Sequence, residues 1–209
     1  MKEFSTDKIR NVALVGHGGT GKTSLLEAIL FAAKVTNRMG IVDDGTTTSD
    51  YTEDEITRKI SIGLALGHLE WKSVKINFVD TPGYADFSGE MYSGLSAADF
   101  ALNVVNGVAG PEVGTDIVWR VVSKSSMPTG FFVNRMDKEH ADFAGTVSKI
   151  QSQYGDKAVP VTMAWGDGVE FKGVIDIISM KAFTFDKSAM FVQLTPRQQI
   201  KGWFICKTD

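Results

Sequence analysis

The sequence predicts an α/β fold, a mostly parallel sheet with helices on both faces, followed by a small β-rich insert. Three observations predict it. A short apolar run, Ile9 to Val15, stops at a glycine-rich loop and gives way to Ser24–Leu30, which has helical spacing. Apolar runs of strand length then alternate with helix-patterned stretches as far as Tyr154, as βαβ units require. Beyond Tyr154 the rhythm breaks into short runs joined by turn residues, which points to an insert rather than to another βα repeat.

In chain order, the stretch from Met39 to Thr57 (VDDGTTTSDYTEDEIT at its centre) is too polar to bury and too long for a simple turn. It is expected to be a mobile functional loop, with Asp43, Asp44, Asp50, Glu53, Asp54 and Glu55 solvated. Ile62–Trp71 and Val74–Val79 read as an antiparallel hairpin turned at Lys72-Ser73. A helix over Phe87–Ala97, a strand over Phe100–Val105, a helix over Val113–Lys124, a strand over Thr129–Val133 and a helix over Phe143–Tyr154 follow. In the insert, Val159–Met163, Phe171–Ile178 and Ala182–Phe185 have strand character, with Gly166-Asp167-Gly168 as a turn. Trp119 and Phe143 fall at helix positions that favour core packing.

Composition narrows the function. The chain has 209 residues, 43% apolar and 22% charged, which suits one domain with an insert. A net charge of −3 excludes a general nucleic-acid coat, so DNA is not an expected partner. The single cysteine, Cys206, excludes an internal disulfide or a cysteine-cluster zinc site. No signal-peptide or membrane-spanning run occurs, and a cytoplasmic monomer is expected.

Three motifs carry chemistry, each at the end of an apolar run. Gly16-His17-Gly18-Gly19-Thr20-Gly21-Lys22-Thr23 has the phosphate-loop pattern. Its glycines let successive N–H groups turn onto a β-phosphate, Lys22 can bridge β- and γ-phosphates, and the Thr23 hydroxyl can ligate Mg²⁺. Asp80-Thr81-Pro82-Gly83 follows Ile76–Val79; Asp80 can hold Mg²⁺ through water while the Gly83 N–H reaches the γ-phosphate. Asn134-Arg135-Met136-Asp137 closes Phe131–Val133. A carboxylate at Asp137 can accept two hydrogen bonds from the guanine N1–H and N2–H₂ edge, which adenine does not offer. GTP and GDP are therefore the expected ligands, with Mg²⁺. His17 is read as a loop side chain, His68 as a strand-face residue and His140 as solvent-exposed.

With those motifs in this order, the chain resembles the G domain of bacterial elongation factor G, the translational GTPase of ribosomal translocation, or a divergent paralogue, from about Lys8 to about Asp186. Gly45–Tyr51, Glu53, Glu55 and Arg58–Ile62 resemble the family's first switch loop; Asp80–Phe87 is similar to its second. Phe171–Asp176 with Met180-Lys181-Ala182 is similar to the insert that this family carries inside its G domain. The resemblance implies a P-loop GTPase domain over 1–157, the insert over 158–196 and an atypical tail over 197–209. It also implies the ribosome as partner, Thr23 and Ser61 holding the metal with Asp80, Lys22 stabilising transition-state charge, and Tyr84 beside the attacking water.

The departures from the family bear on mechanism. Tyr84 stands where the family has the histidine that positions water, and a phenol can orient water without carrying an imidazolium's charge. Ser61 replaces a threonine and keeps the hydroxyl; Lys59 and Gly19 replace a glycine and an aspartate; Arg135 replaces a lysine and can stack on the base equally well. The family's Ser-Ala guanine loop does not appear before Asp209, and 197–209 does not continue the resemblance, so a truncated product is expected. Two rival functions stay open: a guanine-nucleotide binding module with little turnover, and another translational GTPase such as a release factor or ribosome-protection protein.

Overall fold

The computed structural model describes residues 3–156, 158–186 and 189–195; the expected tail over 197–209, with Cys206, lies outside them. The described residues form two compact units, one ending at Asn134 and one beginning at Arg135.

The first unit runs β1 (Ile9–Gly16), α1 (Lys22–Ala32), α2 (Glu53–Arg58), β2 (Ala65–Trp71), β3 (Val74–Asp80), α3 (Ser88–Ser96), β4 (Phe100–Asn106), α4 (Val113–Lys124) and β5 (Thr129–Asn134). Its five strands lie in the order β2-β3-β1-β4-β5. β1 pairs in parallel with β3 and β4, β4 with β5, and only β2 runs antiparallel, against β3. The expected fold class is the one observed. Alternation along β1 explains the two helical faces. Ala13 and Val15 pack with Met91 and Leu95 of α3 and Val118 and Val122 of α4, whereas Leu14 packs with Leu26 and Leu30 of α1, Leu69 and Phe78. Trp119 packs on Phe131, the ring centroids 5.8 Å apart. Because the strands are parallel, Gly16, Asp80 and Asn134 all end at one edge of the sheet, where the loops gather.

Two details differ from the sequence reading in this unit. The hairpin strand begins at Ala65 rather than Ile62, because the Ile62 and Gly63 N–H groups donate to the Glu55 carboxylate and Leu64 N–H to Glu90. Residues 53–58, expected within a loop, form α2, closed by a capping box in which Thr52 and Glu55 each accept from the other's backbone N–H. Lys59 ends α2 at φ 56, ψ 37, the left-handed conformation that favours glycine. Lys59→Gly is therefore expected to stabilise the domain by about 1 kcal/mol, read as a higher midpoint in urea; an unchanged or lower midpoint would show that the strain is relieved elsewhere.

The second unit contains α5 (Phe143–Tyr154), N-capped by Asp142, whose Oδ1 accepts from Gly145 N–H at 2.8 Å. Phe143 is half-buried at its start. β6 (Thr162–Trp165), β7 (Gly173–Asp176), β8 (Lys181–Asp186) and β9 (Ala189–Thr195) form an antiparallel sheet in chain order. The first of these begins three residues later than Val159, since Pro160 has no N–H for a ladder and Val159 and Val161 are exposed. β7 is shorter than expected because the Asp176 carboxylate turns back to accept from the Ile178 and Ser179 N–H groups. β9 had no counterpart in the sequence reading. No helix among the described residues is long and apolar enough to cross a membrane.

Candidate functional site

β1 delivers the chain into the loop 16–21, and α1 starts at Lys22 with Gly21 ahead of it at φ 91. A side chain at Gly21 would lie 2.5 Å from Asn134 Nδ2, so only glycine satisfies both the angle and the space. The Thr20 hydroxyl donates to the His17 carbonyl at 3.0 Å, and Asn134 Nδ2 donates to the Thr20 carbonyl at 2.8 Å. Asn134, assigned from sequence to the guanine motif, thus braces the phosphate loop. His17 does more than the loop role expected of it: Nδ1 accepts from the Gly114 N–H at 3.3 Å and Nε2 stands 3.6 Å from Glu112, which ties the loop to the start of α4.

Lys22 is buried, and its Nζ donates to the His17 carbonyl at 2.8 Å and the Gly16 carbonyl at 3.2 Å. Burial lowers its pKa to about 8, against the pull of Asp80 and Asp50. Thr23 Oγ1 donates to Asp80 Oδ2 at 2.8 Å and lies 3.1 Å from the Ser61 hydroxyl. Asp80, at the end of β3, is 1% exposed; burial pushes its carboxyl up to about 6, opposed by the Thr23 hydroxyl and the Lys22 charge. Its Oδ1 has no hydrogen-bond partner among the described residues. A buried carboxylate with a spare oxygen beside two hydroxyls is the donor set a hard dication such as Mg²⁺ takes, so the three residues assigned to the metal fit it.

The Asp80–Gly83 segment is fastened to β1: the Thr81 N–H and hydroxyl both donate to the Leu14 carbonyl, at 3.2 and 2.8 Å, and Pro82 is buried. Gly83 is wedged against the phosphate loop, where a Cβ would sit 2.3 Å from Lys22 Nζ and 2.7 Å from Gly18 N. Tyr84 comes next, with its ring over Gly18, at which a Cβ would meet three ring carbons at 3.0 to 3.1 Å. The Tyr84 side chain is otherwise half in solvent.

Residues 40–63 correct the sequence reading. Thr47, Ser49, Asp50 and Glu55 are buried, although the stretch was expected to stay in water. The Thr47 hydroxyl and the Glu55 carboxylate find partners inside, which removes most of their cost of burial, whereas Ser49 Oγ and Asp50 Oδ2 have no hydrogen-bond partner among the described residues. Asp50 is 5% exposed; burial raises its pKa, the Ser61 hydroxyl counters that, and its charge bears on both Lys22 and Asp80. It is a site residue the sequence reading missed. Asp43, Asp44, Glu53 and Asp54 of the same segment are exposed, as expected.

In the second unit, Arg135 adopts φ 62, Met136 is buried, and the Asp137 carboxylate is exposed, 3.8 Å from Lys138 Nζ.

Over residues 7–200 the chain matches the family described as Elongation factor Tu GTP binding domain. The chain belongs to this family. It is 44% identical over 161 residues to the elongation factor G-like protein of Mycobacterium tuberculosis, covering 77% of this chain and 22% of that protein. It is 36% identical over 186 residues to elongation factor G of Granulibacter bethesdensis (89% of this chain, 27% of that one). To elongation factor G of Chlamydia trachomatis it is 38% identical over 184 residues, 88% of this chain and 26% of that one. A crystal structure from Thermus thermophilus superposes with a TM-score of 0.84 at 34% identity, covering 91% of this chain and 29% of that chain. The chain thus spans about a quarter of the length of the curated relatives it matches.

Within this GTPase-class domain, the Glu55 carboxylate accepts four hydrogen bonds among the described residues. Oε1 accepts from the Ile62 and Gly63 N–H groups at 3.0 and 3.1 Å; Oε2 accepts from the Thr52 hydroxyl at 2.7 Å and the Thr52 N–H at 3.2 Å. Burial pushes its carboxyl up, but these bonds together outweigh that and hold it below the ordinary glutamate range. A depressed acid stabilises the fold above its unfolded value and loses that contribution as pH falls through the folded one. The Ile62 and Gly63 amide resonances are expected to titrate together at a midpoint below that of free glutamate. Thr52→Val should move the midpoint upward; a midpoint at or above the free value would show that the four bonds are not formed in solution. The sequence reading missed this anchor, although the spacing Thr52-x-x-Glu55 is a capping-box signal that could have found it.

Proposed function

We propose that this chain is the GTP-binding, GTP-hydrolysing domain of an elongation factor G-type translational GTPase. It takes GTP and GDP with Mg²⁺ in the cytoplasm, as a monomer with no DNA or membrane partner, and acts with the ribosome. Residues 1–157 form the GTPase domain and 158–196 the insert; translocation needs more of the protein than these residues. The cluster of buried Lys22, Thr23 and Asp80 with half-buried Ser61 at the phosphate loop carries this reading.

In the reaction, water adds in line to the γ-phosphorus while the bond to the bridging oxygen breaks, giving GDP and inorganic phosphate. The loop N–H groups of Gly16, His17, Gly18, Gly19, Thr20 and Gly21 bind the β-phosphate, and the Lys22 ammonium offsets the charge that builds on the leaving oxygens. Mg²⁺, when bound, supplies further positive charge at the phosphates; Thr23 and Ser61 would hold it directly and Asp80 through water, with Asp50 nearby. The Gly83 N–H orients the γ-phosphate and the Tyr84 phenol orients the water. Asp137 selects guanine, with Arg135 along the base and Met136 in the linking turn.

Equilibrium binding of a fluorescent GDP to the 209-residue chain with Mg²⁺ tests this. Displacement by GDP but not by ADP is expected; displacement by both, or no binding by a folded chain, would overturn it.

The seat of Tyr84 on Gly18 favours a second reading, a binding module with slow turnover. Tyr84→His is expected to raise single-turnover cleavage on ribosomes by about a hundredfold, the lower end of the range for a placed general base. Cleavage that is already fast in the wild type and gains nothing would remove that reading.

A further inference from the structure

Glu27 lies on α1, five residues after Lys22, and is 1% exposed although its helical neighbours Leu26 and Leu30 face an apolar core. A carboxylate in such a place is costly unless both oxygens accept hydrogen bonds. Here three donors use it, and all come from one segment. Oε2 accepts from the Gly40 N–H at 3.0 Å; Oε1 accepts from the Thr48 N–H at 2.6 Å and from the Thr48 hydroxyl. Gly40 is built for this approach: a Cβ there would lie 2.5 Å from Glu27 Oε2, 2.6 Å from Thr47 Cα and 2.8 Å from the Thr46 carbonyl.

The same helix starts with Lys22 and Thr23, the phosphate-loop residues. Five residues of α-helix are about 7.5 Å of rigid rod, so a displacement at the phosphate loop reaches Glu27 undamped. Past Thr48 the segment runs on through buried Ser49 and Asp50, and after α2 it returns to place Ser61 3.1 Å from Thr23. Glu55 fixes the far end through Ile62 and Gly63. An apolar residue at 27 would pack as well against Leu26 and Leu30 but would leave three donors without an acceptor.

We propose that Glu27 is a positioning residue: it clamps residues 40–48 to the phosphate-binding helix and so makes the placement of Asp50 and Ser61 depend on what the phosphate loop holds. This rests on the guanine-nucleotide reading above. A ligand that needs Ser61 in place, the triphosphate, feels the clamp; the diphosphate does not.

The test compares wild type, Glu27→Gln, Glu27→Ala and Gly40→Ala in the 209-residue chain. GTP-analogue and GDP affinities are measured together with tryptic cleavage after Arg38, Arg58 and Lys59. Losing hydrogen bonds to a charged acceptor is expected to lower triphosphate affinity about tenfold and speed cleavage by about the same factor. GDP affinity should stay within about threefold. Glu27→Gln, which keeps one acceptor, should fall between, and Gly40→Ala should reproduce Glu27→Ala by forcing the same joint open from the loop side. A merely structural role would weaken both nucleotides equally. Folded variants with the wild-type GTP-to-GDP ratio and wild-type cleavage overturn the proposal. If Glu27→Ala does not fold, Gly40→Ala decides. A wild-type chain that binds neither nucleotide overturns the functional reading instead, and the cleavage rates then judge the clamp by themselves.

Discussion

Asp137→Asn is expected to turn a guanine site into a xanthine site. An ionised carboxylate offers only acceptors, which match the guanine N1–H and N2–H₂ donors; the amide keeps one acceptor and sets an NH₂ against a donor. That mismatch costs about 3 kcal/mol, or roughly a hundredfold in GDP affinity. Xanthine carries a carbonyl at C2, which the new NH₂ can donate to while the amide oxygen accepts from N1–H. Competition of GDP and XDP against a fluorescent nucleotide reads both effects in one titration. Loss of GDP binding without gain of XDP would mean that Asp137 supports the local backbone rather than reading the base.

Gly83→Ala is expected to disable hydrolysis while leaving the diphosphate bound. The added methyl would sit 2.3 Å from Lys22 Nζ, 2.7 Å from Gly18 N and 2.7 Å from the His17 carbonyl carbon. The Lys22 side chain can move, but the backbone at His17 and Gly18 is held by the Gly114 contact to His17 and by the Thr20 hydroxyl on its carbonyl. The residue-83 turn must therefore lift, and Tyr84 leaves Gly18 with it. A misplacement of about 1 Å at reacting groups costs about a hundredfold in rate. Single-turnover GTP cleavage should fall by that factor, with GDP affinity within a few-fold because the β-phosphate cradle and Asn134 are untouched. Equal losses in both would place Gly83 in binding rather than in the reaction.

Elements with strong local signals were legible in the sequence. Val113–Lys124 and Phe143–Tyr154 are helices at the bounds their spacing indicates, because the 3.6-residue period is a property of the segment itself. Gly16–Thr23, Asp80–Gly83 and Asn134 sit at strand ends for the same reason: apolar runs fix the strands, and each motif begins where its run stops. Strand edges were less legible where competition from elsewhere decides, as at Ile62, whose N–H is taken by Glu55, and at Val159, where Pro160 interrupts the ladder.

By itself the sequence determined the α/β class, the phosphate loop and the guanine-nucleotide family of this protein, since each rests on residues adjacent in the chain. Only the tertiary structure decided the fate of residues 40–63. Polarity there reads as exposure, yet Asp50 and Glu55 are buried: beyond the local Thr52 bond to Glu55, the groups that meet them, Ser61, Ile62 and Gly63, and the Glu27 clamp on Gly40 and Thr48, lie further along the chain than a local pattern records. A buried polar group is allowed wherever its hydrogen bonds are met, and no period in the sequence records where a distant donor will be.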